Sequence, residues 1–553
     1  MSDNDINKPS NRGKSICDIN QFKIIVSRFF NWVSNPFTKH LPIVLLFTFL
    51  SGFTPAFYQF YCFDASQYAC YIISFCFILS YVATLLLFLI PNNIIRNIIV
   101  GTITILLLID NFINVFCIVS LSQCFDADIA TIIFATNSIE TKEFLTTQIN
   151  SQHIFLCSIL LLTAIAFIWI EAKKIVVLKN CVASTFLIAL FFSGVLHFYN
   201  PVSGLPLVRL FKSVYRSFSS SSDLDNHIIN STIEYQSETD NPQKIVVILG
   251  ESLTRDHLSL YGYYKATTPK LDSIVQSGNL FVYNNIKSPA LSTALAMRYI
   301  FTDLTQNENV NQWDSRINAI ELINYSGYKT IWISNQSPAG SHNNVGRLLA
   351  NLCDEKSFVY SVENGHSSTD DILLPTVRNF HEKHHSDTTF TLIHLMGSHP
   401  DFSLRYPPQF KKWTHVDYPA LPTNQQSTTA DYDNTVFFND YIVSKIISYY
   451  NNDDAIIIYF PDHGVDLFVS DPNYAAHGRP GNPISVKVAS EIPFIIYTTH
   501  TFKKSHQRLE NIIFQSNKDK AWVTDNFFYL IADIVGIKSI NGTAVNQYSL
   551  LHD

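Results

Sequence analysis

The feature that most constrains the fold is a series of five apolar segments within the first 200 residues. They lie near 41–61, 70–90, 98–120, 154–170 and 180–198. Each is close to the roughly 20 apolar residues that a helix needs to cross a bilayer. The alternative, five core helices of a soluble protein, would require every side of each helix to be buried. The sequence therefore predicts an N-terminal all-α domain of five transmembrane helices, with Asp110 turned toward other helices or an aqueous cavity.

The placement of lysine and arginine predicts the orientation of this domain. Basic residues are frequent in the tail before the first segment and recur in the second-to-third and fourth-to-fifth loops, whereas the opposite loops at 62–69 and 121–153 hold only Lys142. Because cytoplasmic loops carry an excess of these residues, we expect a cytoplasmic tail and an exported C-terminal part. The tail is long and polar and precedes no small-residue cleavage site, which is typical of an uncleaved anchor.

From Lys244 onward the pattern changes to short apolar runs separated by helical stretches. The runs lie at 245–249, 280–283, 330–333, 389–393, 455–460 and 493–497, and helical stretches at 315–325, 370–383 and 434–450 fall between them. This alternation favours an α/β sheet covered on both faces. We therefore expect a cytoplasmic tail at 1–40, a transmembrane domain at 41–200, an interfacial or docking helix with a linker at 201–243, and a catalytic α/β domain at 244–553.

Charge and cysteine content limit which partners and which disulfides the protein can have. The net charge of -7 gives no reason to propose nucleic acid as a partner. Nine cysteines are present, but only Cys353 lies beyond residue 200, so the exported domain cannot contain an internal disulfide. Cys62 and Cys124 lie on outward loops and could pair, and CxxC metal spacing is absent.

The motif PDHG at 461–464 directly follows the apolar run 455–460. The predicted strand would deliver Asp462 and His463 to its carboxyl end, where ligands bind in open α/β sheets. Asp and His supply oxygen and nitrogen ligands suited to zinc, and Gly464 permits a turn that brings adjacent side chains to one point. The alternative for the isolated motif is a surface turn.

Two further stretches carry groups of the same chemical kind, each with a structural alternative. Glu251 follows the first strand and could bind a metal or cap the next helix. Ser292 and Thr293 begin a predicted helix, where a hydroxyl serves either as an N-cap or as a nucleophile supported by the helix N-terminus and a metal.

Histidines complete the set of candidates. His394 and His399 follow another apolar strand, and His477 lies in a loop rich in Gly and Pro. These side chains suit contact with a phosphate or a second metal; the alternatives are a structural histidine and a plain surface loop.

Taken together, these stretches predict one site. Glu251, Thr293, Asp462 and His463 form a four-ligand set of hard oxygens plus one nitrogen, suited to Zn²⁺. Coordination would lower the pKa of the Thr293 hydroxyl and give a nucleophile at neutral pH. We expect His394, His399 and His477 to neutralise a bound phosphate and to protonate the leaving oxygen.

The motifs resemble those of the membrane phosphoethanolamine transferases of the alkaline phosphatase superfamily. The segment GESLTRDHLSLYGYYKATTPKLD at 250–272 is similar to the first signature of that family. STA at 292–294, HLMGSH at 394–399, PDHG at 461–464 and HG at 477–478 follow in the family's order, and the resemblance extends to the N-terminal segments and the linker.

The resemblance implies a zinc enzyme of the bacterial inner membrane, with its α/β/α domain of alkaline phosphatase type in the periplasm. It would move phosphoethanolamine from phosphatidylethanolamine to Thr293 and then to lipopolysaccharide or another envelope glycan. One zinc ion is implied, held by Glu251, Thr293, Asp462 and His463, with a second ion or the phosphoethanolamine pocket at His394, His399 and His477. Asn335, after the strand TIWI, is expected to line the same pocket.

The sequence departs from the family pattern in two ways. Members commonly have Glu directly after DHG, whereas here Val465 is followed by Asp466, so Asp466 becomes the candidate for a second metal or an ethanolamine contact. The disulfides of the lipid A-modifying members cannot form, which favours members that act on core oligosaccharide or other acceptors.

Three alternative functions can be compared with this interpretation. A sulfatase would need Cys or Ser in a C/S-x-P-x-R setting, and 288–298 contains none, since Arg298 follows Thr293 with no Pro between. A phosphoglycerol transferase or related phosphodiesterase would share the topology and the threonine chemistry. The third alternative is an inactive membrane scaffold, which zinc content would distinguish from the enzymes. Competition between lipid donors would distinguish a phosphoethanolamine transferase from a phosphoglycerol transferase.

Overall fold

The structure is a computed structural model that describes residues 12–63, 66–126, 129–130, 133, 141, 149, 151–174, 210–215, 228–236, 241–338, 345–363 and 366–552. The chain divides into two compact units. One contains Met1–Val119, Gln123–Phe125 and Asn150–Lys212; the other contains Ser120–Ser122, Asp126–Ile149 and Ser213–Asp553. Each is described by itself.

The first unit is helical. Its helices are α1 Arg12–Lys39, α2 Leu41–Phe63, α3 Ser66–Leu87, α4 Asn93–Leu121 and α5 Ser151–Ala172. Within the described residues, Leu41–Tyr61, Asn93–Leu121 and Ser151–Ala172 are long and apolar enough to cross a membrane, and Phe75–Leu87 is a shorter apolar helix. These helices cover the first four predicted segments. The fifth, at 180–198, lies outside the described residues, as do residues 216–227 of the predicted linker region and the side chain of Cys62.

A group of polar side chains lies between the helices of this unit. Asp110, Asn111 and Asn114 of α4 are fully buried. The Asn111 amide donates to the Leu50 carbonyl at 2.7 Å and accepts from the Thr54 hydroxyl. The Asn114 amide donates to Asp110 Oδ1 at 3.1 Å. Asp110 is thus enclosed by protein, as expected of a charged residue in a membrane helix, and its carboxylate accepts a hydrogen bond from Asn114 of the same helix.

The second unit is built on a seven-stranded sheet. Its strands are β2 Lys244–Gly250, β3 Leu280–Tyr283, β5 Lys329–Ser334, β6 Glu355–Phe358, β9 Thr389–His394, β10 Ala455–Pro461 and β13 Phe494–Thr498. Their order across the sheet is β3-β13-β10-β2-β9-β5-β6. The strands from β10 to β6 are parallel, and β13 runs antiparallel to both β10 and β3. Six of the seven strands coincide with predicted apolar runs. The seventh, β6, was not predicted because its sequence, EKSF, contains no apolar run.

Helices cover both faces of the sheet, so alternate strand residues enter two separate cores. On β2, Ile245 and Val247 belong to one core, and Val246 and Ile248 to the other. The helices are α6 Pro269–Val275, α7 Thr293–Ile300, α8 Ala319–Tyr325, α9 Val345–Asn351, α10 Leu373–Lys383, α11 Thr423–Tyr449, α12 Pro483–Ser490, α13 His500–Ser505, α14 Gln507–Gln515 and α15 Phe527–Ile534. This is the three-layer α/β/α arrangement predicted for the catalytic part.

Short strands complete the unit. They are β1 Ile233–Tyr235, β4 Ile286–Lys287, β7 Val362–Glu363, β8 His366–Ser367, β11 Val465–Leu467, β12 Ala475–His477, β14 Trp522–Val523, β15 Ile537–Ile540 and β16 Thr543–Ala544. The hairpin of β11 and β12 directly follows the PDHG turn, with Val465 opposite His477.

The register of the central strands brings their carboxyl ends to one level. Leu249 of β2 lies opposite both Phe460 and His394, and Ser334 of β5 also lies opposite His394. The residues that follow these strands therefore collect at a single edge of the sheet, where ligand sites of open α/β folds occur.

Candidate metal and nucleophile site

The turns after β2 and β10 are held together by backbone hydrogen bonds. Asp462 N donates to the Gly250 carbonyl at 3.1 Å, and Leu253 N donates to the His463 carbonyl at 2.9 Å. Gly250 permits this approach, because a Cβ atom there would lie 3.2 Å from the Tyr459 ring. The two turns consequently form one unit, although 210 residues separate Ser252 from Asp462 along the chain.

Side chains reinforce the same junction. Ser252 N donates to Asp462 Oδ1 at 3.3 Å. The Thr254 hydroxyl donates to the Val465 carbonyl at 2.9 Å and accepts from Val465 N at 2.8 Å. Ser252 itself has φ of 56°, in the left-handed region that non-glycine residues seldom adopt. The surrounding bonds therefore impose the backbone that aims Glu251 at Asp462 and His463.

Three side chains converge at this junction. Glu251, Asp462 and His463 are 1%, 0% and 0% exposed, and one ligand atom from each lies within 4.8 Å of the others. His463 Nε2 is 3.4 Å from Glu251 Oε1 and 3.6 Å from Asp462 Oδ2.

A divalent cation fits these atoms. Among the described residues, Asp462 Oδ2 and His463 Nε2 are buried with no hydrogen-bond partner. Buried polar atoms are normally paired, so two such atoms pointing at one spot indicate a site for an additional group. Two carboxylates and an imidazole are a donor set that zinc accepts.

Thr293 is the first residue of α7, and its hydroxyl donates to Glu251 Oε2 at 2.7 Å. The N-cap position belongs to Ser292, whose side chain makes no capping hydrogen bond. Thr293 thus joins the carboxylate cluster instead of capping its own helix. The hydrogen bond from Thr293 to Glu251 adds the threonine to the three converging side chains, so all four predicted zinc ligands lie together.

Burial alters the protonation of the carboxylates. It raises the pKa of Glu251 to about 8, and the nearby Asp462 carboxylate adds to that increase. Burial likewise raises the pKa of Asp462 to about 6. Without a cation Glu251 therefore retains its proton at neutral pH, because burial and the neighbouring Asp462 carboxylate both disfavour its charged form.

Two of the predicted histidines lie beside this cluster. The His477 ring is 4.9 Å from the His463 ring and 5.5 Å from the His399 ring. Ligand atoms of Glu251, His399 and His477 form a second set within 4.8 Å of one another. Burial lowers the pKa of His477 to about 3 and that of His399 well below its usual value. Both imidazoles are neutral at pH 7 and can donate a hydrogen bond or accept a proton.

His394 has a different environment. It lies outside both sets of converging ligand atoms among the described residues, and its ring packs edge-on against Trp332 at 6.3 Å. Burial lowers its pKa to about 3, so it too is uncharged.

The loop that carries His399 is pressed against Glu251. Gly397 has φ of 55°, and a Cβ atom there would lie 2.6 Å from the Glu251 carbonyl oxygen. The next amide, Ser398 N, donates to that same carbonyl at 2.9 Å. Only glycine fits this position, because the conformation and the space both exclude a side chain.

Asn335 and Asp370 position this loop through hydrogen bonds. Asp370 accepts hydrogen bonds from Met396 N and Gly397 N, both at 2.8 Å. The Asn335 amide donates to Asp370 Oδ1 at 2.9 Å and accepts from the Ser368 hydroxyl at 2.8 Å. The amide of Asn335, predicted to line the pocket, is thus engaged in positioning the loop. Asp370 escaped the sequence analysis because an Asp-Asp pair before a helix is typical of ordinary capping.

Asp466 serves the neighbouring hairpin. Its Oδ1 accepts from Val469 N and Ser470 N, both at 3.1 Å, and its other oxygen accepts from the Ser470 hydroxyl. Arg479 donates to that hydroxyl at 2.6 Å. Asp466 belongs to neither set of converging ligand atoms among the described residues; it orders the turn between β11 and β12, which ends at His477.

Comparison with known proteins places this geometry in context. A family profile described as Sulfatase matches residues 243–537. The phosphoethanolamine transferase EptC of Escherichia coli K12 is 24% identical over 323 residues, covering 57% of this chain and 54% of the relative. The phosphoethanolamine transferase EptA of Helicobacter pylori is 29% identical over 287 residues, covering 49% and 52%. The chain thus aligns with about half the length of these curated relatives.

Solved structures extend the likeness in fold. The integral membrane phosphoethanolamine transferase EptA of Neisseria meningitidis superimposes with a TM-score of 0.63 at 16% identity, covering 93% of this chain and 98% of that one. The zinc complex of the C-terminal periplasmic domain of Escherichia coli EptC superimposes with a TM-score of 0.50 at 23% identity, covering 58% and 89%. At these identities the likeness concerns the fold.

The Thr254 bridge generates a testable prediction. Replacing Thr254 by valine keeps the shape but removes both hydrogen bonds to Val465, which should loosen Asp462 and His463 relative to Glu251. We expect zinc affinity to fall about 10- to 100-fold, the usual effect of losing a group that orients metal ligands. Chelator competition on the full chain measures it. Thr254→Ser, which keeps the hydroxyl, is the matched control; a valine variant that binds zinc as tightly as the serine variant would contradict the assignment.

The raised carboxylate pKa values predict a dependence on pH. The pKa of Glu251 rises from 4.5 to about 8 on folding, so the metal-free fold binds the proton more tightly than the unfolded chain does. This contribution to stability is complete below about pH 4.5 and is lost as pH rises to about 8. We expect the melting temperature of chelated protein to fall between pH 5 and 8 and zinc to restore it at pH 8. Glu251→Gln should flatten the metal-free profile; an unchanged profile would reject this origin.

Proposed function

Because the chain belongs to the sulfatase family, we propose that it is a zinc-dependent phosphoethanolamine transferase of a bacterial inner membrane, with residues 244–553 as its periplasmic catalytic domain. Its donor is phosphatidylethanolamine, and its acceptor is lipopolysaccharide or another envelope glycan. The observation that carries the proposal is the Thr293 hydroxyl, bonded to Glu251 at 2.7 Å within the buried carboxylate–imidazole cluster. We take phosphoethanolamine as the transferred group because the relatives from Escherichia coli and Helicobacter pylori are phosphoethanolamine transferases.

In the first step Thr293 Oγ1 attacks the phosphorus of the donor. The bond from phosphorus to the diacylglycerol oxygen breaks, and the phosphoethanolamine group remains on Thr293 as a phosphodiester. Glu251 Oε2 already accepts the Thr293 hydrogen bond and is placed to take its proton. Zinc held by Glu251, Thr293, Asp462 and His463 would lower the pKa of the hydroxyl and stabilise charge on the phosphoryl group.

The neighbouring imidazoles provide the proton that the departing diacylglycerol oxygen needs. His399 and His477 are neutral before substrate binds, so they can donate hydrogen bonds to phosphoryl oxygens. An anionic phosphate raises the pKa of an adjacent imidazole, which enables it to protonate the departing diacylglycerol oxygen. In the second step an acceptor hydroxyl attacks the same phosphorus and gives its proton to the imidazole left neutral by the first step, while the Thr293 oxygen leaves and regains the proton held by Glu251.

The absence of an internal disulfide guides the choice of acceptor. The sequence provides one cysteine, Cys353, beyond residue 200, and it is buried. We therefore favour the members that act on core oligosaccharide or other glycans over the disulfide-rich lipid A-modifying members. A phosphoglycerol transferase is the second candidate, because the same nucleophile would accept a different head group.

The covalent intermediate gives the decisive experiment. Purified full-length protein is incubated with nanodiscs of phosphatidylethanolamine or of phosphatidylglycerol, and intact-mass and peptide spectrometry locate any adduct. We expect phosphoethanolamine on Thr293, no adduct with phosphatidylglycerol, and loss of adduct and turnover in Thr293→Ala. Thr293→Ser should retain a hydroxyl nucleophile and part of the activity.

The possible outcomes separate the candidates. A phosphoglycerol adduct would replace the proposed donor, and a fully active Thr293→Ala variant would reject the nucleophile. Profiles of envelope glycans from cells with and without the protein then identify the acceptor by the phosphoethanolamine group that disappears.

A further inference from the structure

Helix α1 is the feature that the catalytic proposal leaves unexplained. It spans 28 residues, Arg12–Lys39, within the stretch that the sequence analysis treats as a polar cytoplasmic tail. It ends one residue before α2 begins at Leu41, so it leads directly into a candidate membrane span.

Several large apolar side chains of α1 are exposed; three of them share one side, and Ile24 lies on the other. Phe22, Ile25 and Phe29 are 67%, 64% and 56% exposed. Their spacing of three and then four residues places them on a single helical face. A face of this kind on a soluble segment would be costly to hydrate, which indicates that it has an apolar environment in the working protein.

The charges on α1 identify the chemistry of that environment. Basic residues predominate along the helix, where the acidic Asp18 is outnumbered by Arg12, Lys14, Lys23, Arg28 and Lys39. Since each residue advances the helix by about 100°, Lys23 lies one step from Phe22 on one side of the apolar face and Arg28 one step from Phe29 on the other. Cations on both margins of an apolar stripe suit the phosphate groups above the hydrocarbon of a bilayer.

The position of α1 in its own unit agrees with that environment. The Tyr81 hydroxyl of α3 donates to the Val33 carbonyl of α1. Tyr81 precedes the end of α3, at Leu87, by six residues, or about 9 Å of helix. The second half of α1 therefore lies alongside α3, near the end of that apolar helix.

We propose that the segment of α1 from Phe22 to Phe29 is an in-plane anchor whose Phe22–Ile25–Phe29 face enters an anionic lipid surface, with Lys23 and Arg28 contacting lipid phosphates. This inference rests on the membrane insertion of the helical unit and is independent of the Thr293 chemistry. The anchor would hold the N-terminal end of the chain on the leaflet from which α2 enters the bilayer.

Site-specific photocrosslinking tests this placement. The photoreactive residue p-benzoylphenylalanine replaces Phe22 on the apolar face or, as the matched control, the exposed Ser27 on the opposite face. The full chain is reconstituted in nanodiscs of phosphatidylethanolamine and phosphatidylglycerol, and protease protection of α2–α5 in the same sample verifies insertion. We expect lipid adducts from position 22 and few from position 27.

Charge variants test the second half of the proposal. Lys23→Gln with Arg28→Gln keeps the apolar face and a good helix former at both positions. At about 1 kcal/mol for each cation near an anionic surface, we expect the docking equilibrium, read as lipid adduct at position 22, to fall about fivefold per charge. Phosphatidylcholine nanodiscs should give a similar decrease for the unsubstituted chain.

The remaining outcomes would overturn the proposal. Dimeric protein crosslinks from position 22 would assign the apolar face to a second copy of the chain. Equal lipid adducts from positions 22 and 27, or none from either in an inserted protein, would show that the face has no lipid preference.

Discussion

The structure depends on the junction between the turns that follow β2 and β10. These strands are parallel neighbours at the centre of the sheet, and their last residues, Gly250 and Pro461, lie opposite each other. Beyond that point the chain no longer has sheet hydrogen bonds to hold it. The exchange between Thr254 and Val465, together with the bond from Leu253 to His463, continues the connection for one more turn. Glu251, Asp462 and His463 thereby occupy positions that neither turn could maintain separately.

The junction also explains why the site is costly without a cation. Burying two carboxylates with almost no exposure raises the pKa of both acids, so folding disfavours the charged forms that a divalent ion would bind. The backbone of Ser252, held in the left-handed region, points the same way. Stability has been given up locally in favour of a fixed arrangement of ligand atoms, as is common at functional sites.

A second group of interactions surrounds this centre and acts through the backbone. Asp370 binds two amides of the loop that ends at His399, and Asp466 orders the hairpin that ends at His477. The two histidines consequently face Glu251 from opposite loops while remaining neutral. The ligand atoms thus form two sets, one with Asp462 and His463 and one with His399 and His477, and Glu251 belongs to both.

The sequence by itself determined the α/β class and six of the seven strands of the main sheet, and it predicted that Glu251, Thr293, Asp462 and His463 would lie together. Apolar runs and polar residues directly after them are local signals, and a parallel sheet brings strand ends to one edge. Tertiary structure decided the rest. The side chain of Asn335 bonds to Asp370, and Asp466 bonds to residues of its own hairpin. Asp370 positions the loop that carries His399, a role that no sequence pattern predicted. Helix α1 likewise emerged where composition indicated only a tail. Hydrogen-bond partners hundreds of residues apart, and the direction in which a side chain points, depend on packing between elements, which no local pattern encodes.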